Sequence, residues 1–307
     1  MKVTPGSATS AVRAAWARRR ASSLDVEAVF RAIPEVDDAT SALVPVNSIV
    51  FSKDRAMQLD ACLRSIARFS PNEGPVIVIY KATTPEFARG YELLDPGDRV
   101  RLVAESDDFR RDVMEAIDPE ARYTVFHTDD DVFFRRPPAI PIVPEGFAAL
   151  SLRLGENTNF CYPTGQTQAI PELVARGPWL AWNWVQASGD FAYPMSLDGH
   201  VFRTSLLVRM LSRLGFTNPN RLEESLMRRR FSAPPLMLSF RESCVVSLPV
   251  NVVTTTHANR AGVDPGLSPE ALNARFLAGE RIDLEAMDFS DVRGAQQEIA
   301  LEFKTVA

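Results

Sequence analysis

The stretch VNSIVFSKDRAMQLDACLRSIARF, residues 46–69, sets the pattern for the first half of the chain. Its opening, VNSIVFS, has the length and apolar content of a buried strand. Behind it, Leu59, Cys62, Leu63 and Ile66 recur at helical spacing, so one face of that segment is apolar. The stretch therefore predicts a buried strand followed by an amphipathic helix.

The strand–helix alternation continues downstream of this stretch. Strand patterns occur at residues 75–82, 100–105 and 123–131, and helical patterns lie between them at residues 85–94 and 108–117. Such alternation predicts an α/β fold with a Rossmann-like, mostly parallel central sheet and helices on both faces. In sheets of this kind, ligands bind beyond the carboxyl ends of the strands.

The second half of the chain is less regular. A strand pattern occurs at residues 146–155, and helical patterns occur at residues 269–279 and 295–304. We expect three regions: an N-terminal helical extension, basic and then acidic, at residues 1–45, a main domain at residues 46–260 and a helical tail at residues 261–307.

The basic segment VRAAWARRRAS, residues 12–22, has two interpretations. One is a helix that lies on an anionic membrane surface. The other is a solvated helix of the terminus. The apolar face of the segment is thin, with a single Trp16, and this favours the solvated helix.

Composition narrows the class of protein and its compartment. The net charge of −5, from 34 basic and 39 acidic residues, argues against a general nucleic-acid binder, which would be basic. Three widely spaced cysteines without a C-x-x-C pair favour a reducing cytoplasm over a disulfide framework or a zinc site. No apolar run approaches the roughly 20 residues that span a bilayer. We therefore expect a cytoplasmic protein, in contact with the inner face of the membrane only if residues 12–22 bind lipid.

The stretch FHTDDDVFF, residues 126–134, places three carboxylates at the carboxyl end of the fourth predicted strand. Like charges repel, but hard cations such as Mg²⁺ and Mn²⁺ prefer oxygen ligands and share them with substrate phosphates. A helix N-cap or a solvated turn is the alternative. Because the apolar pattern resumes at once at Val132, we favour a metal-binding or substrate-binding role.

Other segments carry candidate functional residues. His257 follows the run VNVVTTT, and imidazole is a ligand for Mn²⁺, although it could equally be an ordinary polar residue. Gly199, in SLDGHVFRTSLL, permits close approach of the backbone, and a plain turn is the alternative. Glu223 and Glu224 stand early in a helical pattern, where acidic residues suit the helix dipole or where one of them acts as a general base.

In chain order, these four segments resemble the motifs of metal-dependent GT-A glycosyltransferases. The motifs are a D-x-D motif at Asp129-Asp130-Asp131, a glycine-containing loop at Asp198-Gly199-His200, an acidic helix start at Leu222-Glu223-Glu224, and a late histidine at His257. The segment IVFSKDRAMQLDACLRSI, residues 49–66, also resembles the first strand and helix of bacterial polysaccharide glycosyltransferases. The resemblance covers about residues 46–260.

The resemblance implies transfer of a sugar from a nucleotide-diphosphate sugar to an acceptor hydroxyl, with Mn²⁺ or Mg²⁺ as cofactor. It implies Asp129, Asp131 and His257 as metal ligands. The residues expected beside the nucleotide-sugar are Ser52, Asp54, Arg55, Arg110, Arg111, Asp129 and Asp130. Those expected beside the acceptor are Asp198, Gly199, His200 and Trp182, although the tryptophan ring could equally belong to the core.

The resemblance also implies a mechanism and a biological setting. Residues 46–135 would form the nucleotide-binding half and residues 136–260 the acceptor-binding half. An acidic base implies an inverting transfer, but Glu224 stands where the family has Asp, so Glu223 and Glu224 are alternative bases. The acceptor would be a carbohydrate or a glycolipid, in the synthesis of bacterial surface polysaccharide or glycoconjugates.

Two other functions compete with this interpretation. A sugar-phosphate nucleotidyltransferase would carry a glycine-rich, basic signature after the first strand, where this chain has FSKDRAMQLD without a glycine. A non-catalytic nucleotide-sugar-binding protein of the same fold would be expected to lose the acidic cluster or the late histidine, and both are present.

Overall fold

The structure is a computed structural model that describes most of the chain. It covers residues 15, 24–31, 46–70, 74–138, 140, 143–253, 260–262 and 264–306. Most of the predicted N-terminal extension, including all but one residue of segment 12–22, lies outside the described residues, as does His257. Within the described part, no helix has the length and apolar character needed to cross a bilayer.

A large central sheet organises the described residues. Its strands are β1 Val46–Lys53, β2 Val76–Lys81, β3 Val100–Ala104, β4 Tyr123–Thr128, β6 Phe147–Ser151, β9 Val174–Arg176, β10 Trp179–Asn183, β11 His200–Arg203 and β12 Leu236–Phe240. Three two-stranded sheets pair β5 Asp131–Phe133 with β13 Val245–Ser247, β7 Phe160–Cys161 with β8 Gln166–Thr167, and β14 Glu280–Ile282 with β15 Phe303–Thr305. The helices are α1 Val26–Arg31, α2 Ala56–Phe69, α3 Pro85–Glu92, α4 Phe109–Ala116, α5 Thr204–Leu211, α6 Pro219–Arg228 and α7 Pro269–Leu277.

The strands of the central sheet follow the order β3-β2-β1-β4-β11-β6-β12-β10-β9. Strands β1 to β4 pair in parallel, as do β6 and β12. Strand β11 runs antiparallel to both β4 and β6, and β10 runs antiparallel to both β12 and β9. The predicted mostly parallel α/β sheet is therefore confirmed.

Side chains of β1 pack into two separate hydrophobic cores, one on each face of the sheet. Val46 and Val50 lie in the core that contains the apolar face of α2. Ile49 and Phe51 lie in the other core, where Phe51 packs 5.6 Å from Phe109 of α4, measured between ring centroids. Since successive strand residues point to opposite faces, this alternation explains why β1 is buried on both sides and why helices cover both faces.

The acidic stretch lies where the chain leaves the central sheet. The amide of Asp129 donates to the Phe51 carbonyl (3.0 Å), which continues the pairing of β4 with β1. Strand β5 then starts at Asp131 and pairs with β13, with Asp131 opposite Ser247. The three aspartates therefore lie at the carboxyl end of β4, where the chain passes from the central sheet to the two-stranded sheet of β5 and β13.

The C-terminal tail differs from the predicted pair of helices. Helix α7 confirms the first pattern, but the prediction of a helix at residues 295–304 is wrong. Ala295 is buried, Gln296 bridges to Ser247, and Phe303 begins β15. Pairing with distant strands overrides the local helical spacing there.

Gly199 offers a test of the backbone that leads from the sheet to the site. Its φ of +67° lies in the left-handed region, and its amide donates to the Phe126 carbonyl (2.8 Å). We expect Gly199→Ala to lower the free energy of unfolding by about 1–2 kcal/mol, because an L-residue is strained at this φ.

Gly215→Ala is the matched control, since a methyl group there meets nothing within 4 Å and the φ is not positive. Urea unfolding followed by circular dichroism measures both variants. Equal stability losses in the two variants would contradict the strain at Gly199.

Candidate functional site

A cleft of about 980 Å³ opens at the carboxyl ends of β1 and β4. Ser52 and Lys53 line it from the first half of the chain, and Tyr193 and Asn218 line it from the second half. Its size suits a small-molecule ligand. It also lies at the edge where parallel sheets bind ligands.

Asp129 is a buried acceptor on the wall of this cleft. Its carboxylate accepts hydrogen bonds from the Ser52 hydroxyl (2.9 Å), the Lys53 amide (3.2 Å) and the Arg55 guanidinium (3.0 Å). Burial raises the pKa of the Asp129 carboxyl to about 6, against the opposing effect of Arg55. Desolvation therefore outweighs the ion pair.

The Arg55 guanidinium joins the acidic stretch to a distant segment. Its Nη1 donates to Asp129 (3.0 Å) and to Asp130 (3.3 Å). Its Nε donates to the Asn251 side-chain oxygen (2.9 Å), and its Nη2 contacts the Asn251 carbonyl. The side chain of Arg55 is only 10% exposed. One cation therefore contacts two aspartates, offsets part of their charge and holds the backbone at Asn251.

Asp130 is the aspartate of the stretch with most access to the cleft. Its side chain is 18% exposed, against 4% for Asp129. It accepts a hydrogen bond from the Thr128 hydroxyl (2.7 Å), which also lies 3.1 Å from Asp198. Asp130 and Asp198 therefore approach each other at one hydroxyl group on the cleft wall.

Asp131 points away from the cleft. It is 1% exposed and accepts hydrogen bonds from the Ser247 hydroxyl (2.5 Å) and the Thr128 amide (3.3 Å), and His127 Nδ1 lies 3.3 Å away. These contacts join β5 to β13 and β4. In this structure Asp131 accepts hydrogen bonds inside the protein and does not line the cleft.

Asp198 and Arg153 form a second buried ion pair on the cleft wall. Arg153 Nη1 donates to Asp198 (2.8 Å) and to the Ser196 hydroxyl (2.7 Å). Burial is the main cause that raises the pKa of the Asp198 carboxyl well above its usual range, and the nearby charge of Asp131 adds to it. Arg153 lowers the pKa of Asp198, but this effect offsets only part of the rise that burial and Asp131 cause.

Glu223 of α6 is held by donors from the same loop. Its Oε1 accepts hydrogen bonds from the Leu197 amide (3.1 Å) and the Ser196 hydroxyl (3.2 Å), and the Tyr193 hydroxyl also bonds to the carboxylate. Burial raises the pKa of the Glu223 carboxyl, although these bonds and Arg153 oppose the rise. Glu223 lines the cleft with a fixed orientation and a raised proton affinity.

Glu224 has a different environment although it is the next residue. It pairs with Arg221 (2.6 Å) and Arg228 (2.5 Å) on the exposed side of α6. The hydrogen bond from Arg221 is the main cause that lowers the pKa of its carboxyl. Both glutamates border the cleft, but their proton affinities are shifted in opposite directions.

The residues predicted beside the nucleotide separate into two groups. Ser52 and Arg55 line the cleft with Asp129 and Asp130. Asp54 does not line it, because its carboxylate accepts hydrogen bonds from the Thr83 amide (2.7 Å) and hydroxyl (2.8 Å).

The two arginines predicted on the helix before the acidic stretch also face away from the cleft. Arg110 Nε donates to the Leu214 carbonyl (2.9 Å), and Arg111 donates to the Ser106 hydroxyl (3.3 Å). Since α4 presents Phe109 and Val113 to the core, these arginines extend from its other side. Neither arginine lines the cleft.

Of the residues predicted beside the acceptor, only Asp198 lines the cleft. Trp182 is fully buried, and its indole N–H donates to the Phe191 carbonyl (3.0 Å), so it belongs to the core. His200 is 1% exposed, and burial lowers the pKa of its imidazole to about 3. Gly199 shapes the turn between Asp198 and β11. Trp182, Gly199 and His200 therefore do not line the cleft.

The structure adds cleft residues that the sequence did not single out: Lys53, Thr128, Arg153, Tyr193 and Ser196. Lys53 ends β1, and Arg153 follows β6 by two residues. The rule that ligands bind beyond the carboxyl ends of parallel strands could have found both. Tyr193 and Ser196 lie in an irregular segment that no periodicity marks.

Of the three predicted metal ligands, Asp129 lines the cleft, Asp131 does not, and His257 lies outside the described residues. Among the residues that the structure describes, no three Asp, Glu, His or Cys side chains come together as a metal-binding group. Asp129 and Asp131 are the more deeply buried, with side chains 4% and 1% exposed. Asp130 and Asp198 line the cleft with side chains 18% and 14% exposed, and each also pairs with an arginine. Two such carboxylates fit a hard divalent cation of the kind that takes its other ligands from substrate phosphates and water.

No protein-family model and no curated protein matches this chain. Among solved structures, the chain is similar to the mannosyltransferase PcManGT from Pyrobaculum calidifontis, determined in complex with GDP-Man and Mn²⁺. The two are 15% identical, and the alignment covers 89% of this chain and 84% of that chain with a TM-score of 0.39. A similarity this weak establishes neither family nor activity.

Arg55 provides a test of the site's electrostatics. We expect Arg55→Met to lower the free energy of unfolding by about 3 kcal/mol, because it leaves Asp129 and Asp130 without their buried cation. Urea unfolding near neutral pH measures the free energy of unfolding of the variant and the wild type. The double variant Arg55→Met/Asp129→Asn should recover part of the loss, since one uncompensated charge is removed.

The matched control is Arg89→Met, which breaks an exposed pair with Glu86 in which both side chains are more than half exposed. Such surface pairs contribute about 0–1 kcal/mol. Equal losses for Arg55→Met and Arg89→Met would contradict the role of Arg55.

Proposed function

We propose that this protein is a glycosyltransferase of the GT-A type, which transfers a sugar from a nucleotide-diphosphate sugar to an acceptor hydroxyl. One observation carries the proposal. At the carboxyl ends of β1 and β4, Asp129, Asp130 and Asp198 share a cleft with Glu223, a carboxylate whose pKa is raised by burial. A metal-assisted diphosphate site beside a proton acceptor suits a metal-dependent, inverting glycosyl transfer.

The donor half of the cleft would be formed by β1, β4 and the loop at Asp198. Asp130 and Asp198 would hold Mn²⁺ or Mg²⁺, which when bound supplies positive charge for the leaving diphosphate. The bound metal would compete with Arg55 for Asp130 and with Arg153 for Asp198. Asp129 and Asp131 are more deeply buried, and they would contribute only if they gave up hydrogen bonds made in this structure. Ser52 and the backbone at Lys53 would position the nucleotide.

Glu223 is the better candidate for the general base. Its Oε1 is held by Ser196 and Leu197, and its raised pKa increases its capacity to accept a proton. Glu223 would take the proton of the acceptor hydroxyl as that oxygen bonds to the anomeric carbon. The bond from that carbon to the diphosphate oxygen breaks in the same step, in an inverting transfer. Glu224 is weaker as a base because two arginines stabilise its charged form.

The acceptor would enter beside Tyr193 and α6. Tyr193 is 36% exposed at the cleft, and its hydroxyl bonds to Glu223. An aromatic face of this kind suits a sugar ring. The acceptor class remains a carbohydrate or a glycolipid, and the proposed setting is bacterial surface polysaccharide or glycoconjugate synthesis.

A panel of nucleotide-sugars tests the activity. With Mn²⁺ and a mixture of sugar acceptors, we expect release of a nucleoside diphosphate from one donor, because the proposed reaction breaks the bond between sugar and diphosphate. Coupled detection of nucleoside diphosphate measures it. Release of pyrophosphate from a nucleotide and a sugar phosphate would instead identify a nucleotidyltransferase. Donor binding without any turnover would identify a non-catalytic binding protein.

The assignment of the base is tested with a matched pair of substitutions. We expect Glu223→Gln to lower turnover about 100-fold or more with little change in donor affinity, since only the proton acceptor is lost. Glu224→Gln should change turnover much less.

Wild-type turnover should also fall in acid as Glu223 is protonated, through a pKa above the ordinary 4.5. Steady-state kinetics across pH checks both expectations. A larger loss of turnover in Glu224→Gln than in Glu223→Gln would assign the base to Glu224.

A further inference from the structure

The cationic side chains on the cleft wall fall into two groups. Four are paired with carboxylates: Arg55 with Asp129 and Asp130, Lys81 with Glu105, Arg153 with Asp198, and Arg228 with Glu224. Three make no ion pair with any residue that the structure describes: Lys53, Arg230 and Arg260. The second group is available to an anionic ligand.

We propose that Lys53 is the protein's own cation for the diphosphate of the donor. The inference rests on the proposed function and adds a ligand-binding residue to it. Lys53 is the last residue of β1, and its backbone amide donates to Asp129 (3.2 Å). It therefore stands on the donor side of the cleft, at the edge of the sheet where nucleotides bind in doubly wound folds.

Among the residues that the structure describes, the ammonium group of Lys53 makes one hydrogen bond, to the carbonyl of Val253 (3.1 Å). A lysine ammonium carries three N–H donors, so this contact leaves two of them for phosphate oxygens. Lys53 is half-buried and has no carboxylate partner in the described part of the chain, so an incoming diphosphate would supply an opposite charge to a partly desolvated cation.

The other cations near the donor side are already occupied. Arg55 uses its Nε and both terminal nitrogens on Asp129, Asp130 and Asn251. Arg153 is committed to Ser196 and Asp198. Among the described cations, Lys53 therefore lies near the acidic stretch and can bind phosphate without breaking an ion pair.

Arg230 provides a matched contrast at the other end of the cleft. It follows α6, its Nη1 donates to the Met227 carbonyl (2.7 Å), and its guanidinium stacks on the Phe231 ring at 4.6 Å. It carries the same charge on the same cleft wall, but on the acceptor side. Removing Arg230 controls for a general loss of positive charge.

The experiment is calorimetry with UDP, GDP, ADP, CDP and dTDP, each with Mn²⁺ and again with EDTA. For the nucleoside diphosphate that binds, we expect Lys53→Gln to weaken affinity roughly 10-fold or more, since a hydrogen bond to a charged group is lost. Lys53→Gln keeps a donor for the Val253 carbonyl. Lys53→Arg should retain most of the affinity, and Arg230→Met should leave it within about 2-fold.

The matching nucleoside monophosphate separates a diphosphate contact from a nucleotide contact. We expect the wild-type preference for diphosphate over monophosphate to shrink in Lys53→Gln. Unchanged diphosphate affinity in Lys53→Gln would overturn the inference while leaving the proposed function intact. A loss confined to Arg230→Met would also overturn it. If the wild-type protein bound no nucleoside diphosphate in either condition, the proposed function itself would fail, and this inference with it.

Discussion

The site depends on one guanidinium group shared between two aspartates at the edge of the sheet. Arg55 contacts Asp129 and Asp130 and, on its other side, Asn251. Without this cation, two carboxylates would lie side by side where little water reaches them. A buried charge that loses its partner is strongly destabilising. Arg55 therefore allows an acidic stretch to follow β4, and it fixes the segment at Asn251 against the start of α2.

The charged side chains of the cleft differ between the proposed donor side and the surroundings of Glu223. Beside Glu223, Arg153 pairs with Asp198 and Ser196, and its charge opposes the rise of the Glu223 pKa that burial causes. On the donor side, Arg55 offsets part of the charge of Asp129 and Asp130, and Lys53 makes no ion pair with a residue that the structure describes. An anionic donor and a neutral hydroxyl acceptor would thus meet different electrostatic surroundings within one cleft. This separation supports the proposed chemistry better than any single motif does.

The local sequence pattern predicted the helices and strands of the first half well, but it did not predict which polar side chains are buried. The apolar pattern of β1 and α2 reflects burial that is set along the chain, so both elements were predicted correctly. Asp131 is different, because its partner Ser247 is 116 residues away, and no local pattern indicates that this aspartate turns inward. Glu223 and Glu224 are neighbours on a helix and therefore point in different directions. Which of the two faces the buried loop depends on how α6 packs.

The most direct test of the account is a crystal structure of the protein with its nucleoside diphosphate and Mn²⁺. We expect phosphates between Lys53 and the pair Asp130 and Asp198, with Arg55 still bound to Asp129. A nucleotide bound elsewhere would contradict the assignment of the cleft. A nucleotide in the cleft whose phosphates contact Arg55 after it leaves Asp129 would contradict the central role given to that ion pair.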